Sequence, residues 1–359
     1  MKIDKIHIQN FTVFKDIEIQ LNEGINVFVG QNGTGKTHLL KLIYGIRPVT
    51  KAKLFNEEIS MPLFRSHVDR LINDENHHVG TAWSEGIDTN LVSCVEIEFK
   101  NSSLESLEYS INIDKDNDDL DDVMVDYYEA FRYSGDLPND TPDYTFIPAK
   151  EILSHSKGLL ALNNRFDIPF DETYIDIITS AELPEAKKIS QSSLKILDVI
   201  SGIIGGDVVN EDGNFYINKK FKKIEFSLEA EGLRKFGLLW KLIKNGLIEK
   251  GSVFIWDEPD ANINPELLPT LAKILLAMEK EGVQIFIATH SYNLAKYLEL
   301  FRDDNNSVGF YNLYKENEEI YVDYKEYFGK LKNNSIIDSD FDLYEDVIES
   351  IEDDSWKNL

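Results

Sequence analysis

The chain has 359 residues, 42% of them hydrophobic and 11% aromatic, enough to bury a full core as one large domain or two coupled ones, which excludes disorder as the default. Its 37 Lys and Arg stand against 64 Asp and Glu, a net charge of −27 that opposes nonspecific attraction to nucleic acid. No apolar run approaches the roughly 18 residues of a membrane span, and the single Cys94 cannot form an internal disulfide, so a cytoplasmic protein with no membrane partner is expected.

The first elements read as a hairpin, "KIHIQNF" and "DIEIQL", whose apolar residues alternate with polar ones, followed by the buried strand "INVFV". A glycine-rich turn leads into "KTHLLKLIYGI", a helix with Leu39, Leu40 and Ile43 on its apolar face. Residues 51–90 are polar and read as an exposed insertion. "CVEIEF" and "LEYSINI" alternate again and extend a β subdomain, with Cys94 as a small buried hydrophobe. Residues 101–145 carry 13 acids against Lys115 and Arg132, which reads as solvated surface or a docking face for a basic partner.

"YTFIPAKEILS" reads as an extended piece leading into a helix, and residues 183–250 as mostly helical, interrupted at "GGDVVNEDGNFYI" by a turn between short strands. Two strong strands follow, "SVFIW" and "VQIFIAT". Between them Asn264 suits an N-cap, Pro265 the first helical position and Gly282 the exit, with Leu267, Leu268, Leu271, Ile274, Leu275 and Met278 at helical spacing. This is a strand, helix, strand unit of a parallel sheet. Residues 335–359 carry nine acids against Lys357; "DLYEDVIESIEDD" reads as an acidic helix, although Asp338, Asp340 and Asp342 also suggest a cluster of metal-binding acids.

Three motifs carry chemistry. "GQNGTGKT" fits G-x-x-x-x-G-K-[ST] with Gly30, Gly35, Lys36 and Thr37, and Asn32, Gly33, Thr34 and His38 complete the expected ATP-binding stretch. Gly33 and Gly35 let backbone N–H groups turn inward as an anion nest, Lys36 reaches the β- and γ-phosphates, and the Thr37 hydroxyl ligates Mg²⁺. "VFIWDEPDANINP" delivers Asp257, expected to hold Mg²⁺, and Glu258, a candidate general base, to the C-terminal end of a strand. "FIATHS" ends the neighbouring strand with His290, positioned to sense a γ-phosphate.

With the N-terminal hairpin, these motifs resemble the ABC-type ATPase heads of the RecF, SMC and OLD (overcoming lysogenization defect) group, closely over residues 1–50 and 225–300. The resemblance implies an α/β P-loop fold: a mostly parallel core sheet, an N-terminal antiparallel β subdomain and a helical lobe. It divides residues 1–330 into a nucleotide core (1–50 and 250–330), an insertion with the β subdomain (51–145) and a helical lobe (146–249), before an acidic tail (331–359). Family members close ATP between two heads, each nucleotide capped by a signature loop from the other. The matching stretch here, "SLEAEGLRKFGLLWKLI", departs from L-S-G-G-Q: Ala230 and Glu231 replace the serine and first glycine, and only Gly232 persists. The lost hydroxyl removes a hydrogen bond to phosphate worth about 1.5–3 kcal/mol, with Arg234 or Lys235 as compensating charge, so slow turnover is expected.

With 220 residues between Lys36 and Asp257 and no heptads, a long SMC-type coiled coil is excluded. The acidic tail reads as a helix rather than the Toprim nuclease domain of OLD enzymes. The resemblance extends to stand-alone bacterial ATPases of anti-phage systems, of PARIS or Septu type, which implies a homo-oligomer controlling a separately encoded nuclease or toxin. The alternative is a RecF-like ATP-dependent DNA clamp in repair, for which the small basic groups at "NKKFKK" and around Arg234 and Lys235 leave a local DNA contact open.

Overall fold

The computed structural model describes residues 1–48, 91–113, 127–139, 141–166 and 171–352. The expected insertion at 51–90 lies outside them. Strands β1 (Lys2–Phe11) and β2 (Phe14–Gln20) form the expected hairpin in the register Ile6↔Ile19 and Ile8↔Ile17, which stacks the alternating isoleucines on one buried face. β4 (Leu91–Lys100), β5 (Leu104–Ile113) and β6 (Tyr127–Gly135) extend it into a five-stranded antiparallel sheet in the order β2-β1-β4-β5-β6. β6 is a correction to the sequence reading: part of the acidic stretch 101–145 is an edge strand, with Arg132 paired across to Glu108. Charged residues suit such an edge, because they discourage further strands from adding to it.

The second large sheet is six-stranded, in the order β14-β13-β3-β12-β11-β7, and holds the strands expected of the nucleotide core. β3 (Ile25–Gly30), β11 (Val253–Asp257), β12 (Gln284–Ala288), β13 (Val308–Glu316) and β7 (Tyr144–Ile147) run parallel, and β14 (Glu319–Lys325) returns antiparallel at one edge. Both faces are covered, so the central strands read as unbroken apolar runs. Val27 and Val29 face the helices on one side, while Phe28 faces α1 (Lys36–Gly45) and the five-stranded sheet on the other. α6 (Leu268–Lys280) joins β11 to β12 as expected: the Asn264 side chain accepts from the Glu266 N–H, and Leu268, Leu271, Ile274, Leu275 and Met278 are buried.

Besides their shared apolar cluster, the two sheets are joined by a buried amide and by the Tyr311 hydroxyl, which donates to the Gln20 carbonyl at 3.0 Å. The Gln284 side chain accepts from the Ile3 N–H at 2.8 Å and donates to the carbonyls of Ile3 at 2.8 Å and Asn22 at 3.0 Å. The hairpin at 1–20 therefore belongs to the β subdomain's sheet, and β7 to the core sheet, a division different from the sequence boundaries.

The helical lobe contains α2 (Leu159–Arg165), α3 (Glu172–Glu182), α4 (Gln191–Ile204) and α5 (Glu231–Lys244) around a small antiparallel sheet of β8 (Gly206–Glu211), β9 (Asn214–Lys219) and β10 (Lys222–Glu225). After β7 the chain makes only a single 3₁₀ turn, Leu153–His155, where the sequence pattern indicated a helix. β13 and β14 are strands the sequence reading did not assign. α7 (Tyr292–Phe301) follows β12, and α8 (Ser335–Glu352) is the expected acidic helix, carrying Asp338, Asp340 and Asp342.

Candidate functional site

β3, β11 and β12 are neighbours, so their C-terminal ends bring the three motifs to one edge, where an open parallel sheet places its ligands. Val13, Asn32, Gly33, Gly35, Lys36, Thr37, His38, Asp257, Glu258 and His290 line one open cleft there. Gly30 and Thr34 stand behind it: the Gly30 carbonyl accepts from Lys36, and the buried Thr34 hydroxyl donates to the Gln31 carbonyl at 2.9 Å. Gly35 caps α1 in the left-handed region at φ 88°, where a Cβ would lie 2.5 Å from the Phe14 ring. Only glycine fits that position.

The Lys36 ammonium is almost fully buried and donates to the carbonyls of Gly30 at 2.9 Å and Gln31 at 2.7 Å. Burial lowers its pKa to about 8, against the opposing pull of Asp257 and Glu258. The Thr37 hydroxyl donates to Asp257 Oδ2 at 2.8 Å, which brings together the two side chains expected at a metal. Burial holds the Asp257 carboxyl above the usual carboxylate range, with the Thr37 hydrogen bond working in the other direction. A hydroxyl and a poorly solvated carboxylate are oxygen donors suited to Mg²⁺, which normally takes few protein ligands and completes its shell with water and phosphate.

Glu258 follows β11 in the left-handed region at φ 46°, a conformation costing a residue with a Cβ roughly 1–2 kcal/mol. Its N–H donates to the Ala288 carbonyl at 2.9 Å, and its carbonyl accepts from Lys235 Nζ at 2.8 Å. The carboxylate turns into the cleft, 4.0 Å from His290 Nε2. Burial, and then Lys36, lower the His290 pKa, which keeps the imidazole neutral near pH 7.

Two groups escaped the sequence reading, and a third was given a different role. Asp260 accepts from the Thr289 hydroxyl, and Thr289 Oγ1 in turn accepts from the Ser291 N–H at 2.9 Å, so the loop after β11 is tied to the turn carrying His290. Burial raises the Asp260 pKa, opposed by that Thr289 bond. Val13, at the hairpin tip, forms an apolar wall of the cleft and is 39% exposed, an apolar residue left at a turn. The third group is Lys235, whose destination corrects the expected role of the signature-like stretch.

Ala230 is the N-cap of α5 and offers no capping side chain, and Glu231 opens the helix. Gly232 packs so closely on the loop after β11 that a Cβ would lie 2.6 Å from the Asn262 carbonyl oxygen. Arg234 and Lys235, expected to reach a second copy, are instead committed within the chain. Arg234 Nε lies 3.0 Å from Glu151 Oε2, a carboxylate 1% exposed, and Lys235 is itself 1% exposed. A buried cation settles beside buried acids, and here these are Glu151 for Arg234 and the Asp257–Asp260 turn for Lys235.

Comparison with known proteins agrees with this geometry. A family profile described as "AAA domain, putative AbiEii toxin, Type IV TA system" matches residues 25–296. Short local matches link the chain to the DNA replication and repair protein RecF of Cytophaga hutchinsonii, 48% identical over 44 residues, 12% of each chain. That of Shewanella loihica is 30% identical over 71 residues, 20% of this chain and 19% of the relative. The chain thus aligns with a fifth or less of the length of these curated relatives.

Among solved structures, an SMC head bound to the C-terminal winged-helix domain of ScpA superposes with a TM-score of 0.53 at 13% identity, covering 90% of this chain and 98% of that one. An SMC head with an extended coiled coil, bound to the C-terminal domain of ScpA and derived from Pyrococcus furiosus, gives 0.50 at 12% identity, covering 98% and 100%. At these identities the likeness is one of fold. The chain is therefore a member of the AAA-domain family whose profile it matches, built on the ABC-type P-loop ATPase fold that SMC heads share.

Proposed function

We propose that this protein binds Mg²⁺·ATP in the cleft at the end of β3, hydrolyses it slowly, and closes head to tail with a second copy to control a separately encoded effector. The observation that carries the reading is the bond from Thr37 to Asp257 beside the Lys36 loop, with Glu258 and His290 facing the same space. In this reading Gly33, Gly35 and the first amides of α1 receive phosphate oxygens, and Lys36 exchanges its two loop carbonyls for the β- and γ-phosphates. Val13 gives the base an apolar surface. Thr37 and Asp257 hold Mg²⁺, which when bound neutralises phosphate charge. Glu258 takes the proton of the attacking water, and neutral His290 shares a hydrogen bond with the γ-phosphate and steadies the Glu258 side chain.

Ala230, Glu231 and Gly232 sit at the start of α5, whose first amides lack a capping side chain and are suited to a phosphate presented by a second copy. Arg234 and Lys235 serve that role only by supporting the helix from within.

Lys36 gives this reading a pH signature. Its amine is half-neutral near pH 8 in the free protein, whereas a bound triphosphate favours the charged form. Binding at pH 8–9 therefore takes up a proton, and ATP affinity falls by up to about tenfold per pH unit above 8. Calorimetry in two buffers of different ionisation heat measures the uptake; proton release on binding would refute the assignment.

The effector surface proposed is α8. Its first turn packs on the core through Ile336 and Ile337, while Phe341, Tyr344 and Ile348 continue one stripe at 63%, 62% and 58% exposure, flanked by Asp342, Glu345 and Glu349. An apolar stripe edged by acids suits a basic amphipathic partner. Co-expression with the product of a neighbouring open reading frame is the test. Phe341→Asp is expected to weaken the complex at least tenfold, read by calorimetry, with ATP affinity unchanged; an unaffected complex would place the partner elsewhere.

One observation favours a DNA clamp instead. At the β9–β10 turn Phe221 is 90% exposed between Lys220 and Lys222, an aromatic tip with cations on either side. Severalfold stimulation of ATP hydrolysis by duplex DNA, with a steep salt dependence and loss on Phe221→Ala, would decide for that reading.

A further inference from the structure

Glu258 occupies a conformation that its neighbours in sequence oppose. A residue before proline prefers extended backbone, and Pro259 follows it, yet Glu258 is left-handed at φ 46°. Something outside the β11 turn has to hold that peptide. Its carbonyl accepts two hydrogen bonds: one from the Ala261 N–H at 3.2 Å, local to the turn, and one from Lys235 Nζ at 2.8 Å, from a helix 23 residues earlier in the chain. Lys235 is 1% exposed, so its ammonium has no water to fall back on. Burial disfavours its charge, while Asp260, Glu231, Glu258 and Asp257 all favour it.

We propose that Lys235 is a positioning residue for Glu258 of the same chain: its ammonium fixes the Glu258 peptide, aims the carboxylate into the cleft, and links that aim to the placement of α5. The inference rests on the hydrolytic reading above and deepens it. Two contacts make the link tight. Gly232, one turn before Lys235, abuts the Asn262 carbonyl, so the start of α5 cannot shift without disturbing the loop that follows Glu258. Arg234, beside Lys235, is anchored on Glu151, which follows the edge strand β7. α5 is also the helix whose exposed N-cap, Ala230, stands, on the reading above, where a second copy's nucleotide would meet it. Engagement there would act through Lys235 on the glutamate of the chain's own site, so each site's cleavage would depend on the other's occupancy.

Lys235→Met keeps the length of the side chain and removes the donor. It is expected to bind a fluorescent ATP analogue within threefold of the parent, to melt within a few degrees of it, and to cleave bound ATP in a single turnover at least tenfold more slowly. Because Lys235 acts only through Glu258, the double variant Lys235→Met, Glu258→Gln is expected to cleave no more slowly than Glu258→Gln alone. Parental cleavage by Lys235→Met, or a full extra tenfold loss in the double variant, would overturn the proposal. Should Lys235→Met not fold, Lys235→Met with Asp260→Asn removes the acid that the ammonium balances, and the same tenfold loss at retained binding is expected. Undiminished cleavage by Glu258→Gln would instead sink the general-base reading itself, so the two failures are told apart.

Discussion

Lys36→Ala is expected to weaken ATP binding by at least about 100-fold while leaving the protein folded. In the free protein the ammonium satisfies the Gly30 and Gln31 carbonyls; on binding it would meet two phosphate groups, and a hydrogen bond to a charged partner is worth about 1.5–3 kcal/mol. Two such contacts amount to about 3–6 kcal/mol, and each 1.4 kcal/mol is a factor of ten. Fluorescence titration gives the affinity and a thermal melt gives the control. The loop keeps its Thr34 bond to the Gln31 carbonyl, so the fold tolerates the truncation. ATP affinity within threefold of the parent would remove this cleft as the nucleotide site.

The second large effect is expected at Glu258. Glu258→Gln preserves shape and the backbone bonds to Ala288 and Lys235, and removes only the ability to take a proton. Positioned general bases contribute about 10²–10⁴-fold, so steady-state hydrolysis should fall by that order while ATP affinity stays within about threefold. If closure requires intact ATP, the variant should also accumulate a dimer with ATP and not with ADP, visible by light scattering. Hydrolysis at the parental rate would transfer the base role to another group, and His290, 4.0 Å away, is then the candidate to test.

How much of this was legible in the sequence varies with the reach of the interaction. The Lys36 loop, the Asp257–Glu258 strand end and His290 are each set by a few consecutive residues, and a parallel sheet delivers strand ends to one edge whatever the rest of the chain does. The exit of α6 was legible for the same reason, through Gly282, whereas Asn264 and Pro265 open a 3₁₀ turn, Pro265–Leu267, that precedes the helix. β6 was hidden because an edge strand tolerates charge, so Glu129 and Arg132 read as solvated surface. β13 was missed although it lies next to β3: its buried run, "VGFYNL", carries one glycine, Gly309, and one asparagine, Asn312, that blur the pattern. Lys235 was illegible for a deeper reason. Near Gly232 it looked like surface charge offered to a second copy, and only the fold brings the Asp257–Asp260 turn beneath it. A cation's burial is decided by acids distant in sequence, and local pattern carries no trace of them.

The amide of Gln284 has a consequence for engineering the molecule. It reads the N–H and carbonyl of Ile3 on β1 and the carbonyl of Asn22 in the link from β2 to β3, and the β1 register shifts between Ile3 and Lys5, where its partner strand leaves regular pairing. The amide itself recognises main chain alone, while side chains from both sheets share the apolar cluster around it. A foreign outer sheet would therefore need both the same trio of peptide groups and apolar side chains to pack on Phe28 and Tyr311, whereas glutamate at 284 would set an anion against two carbonyls and weaken the joint.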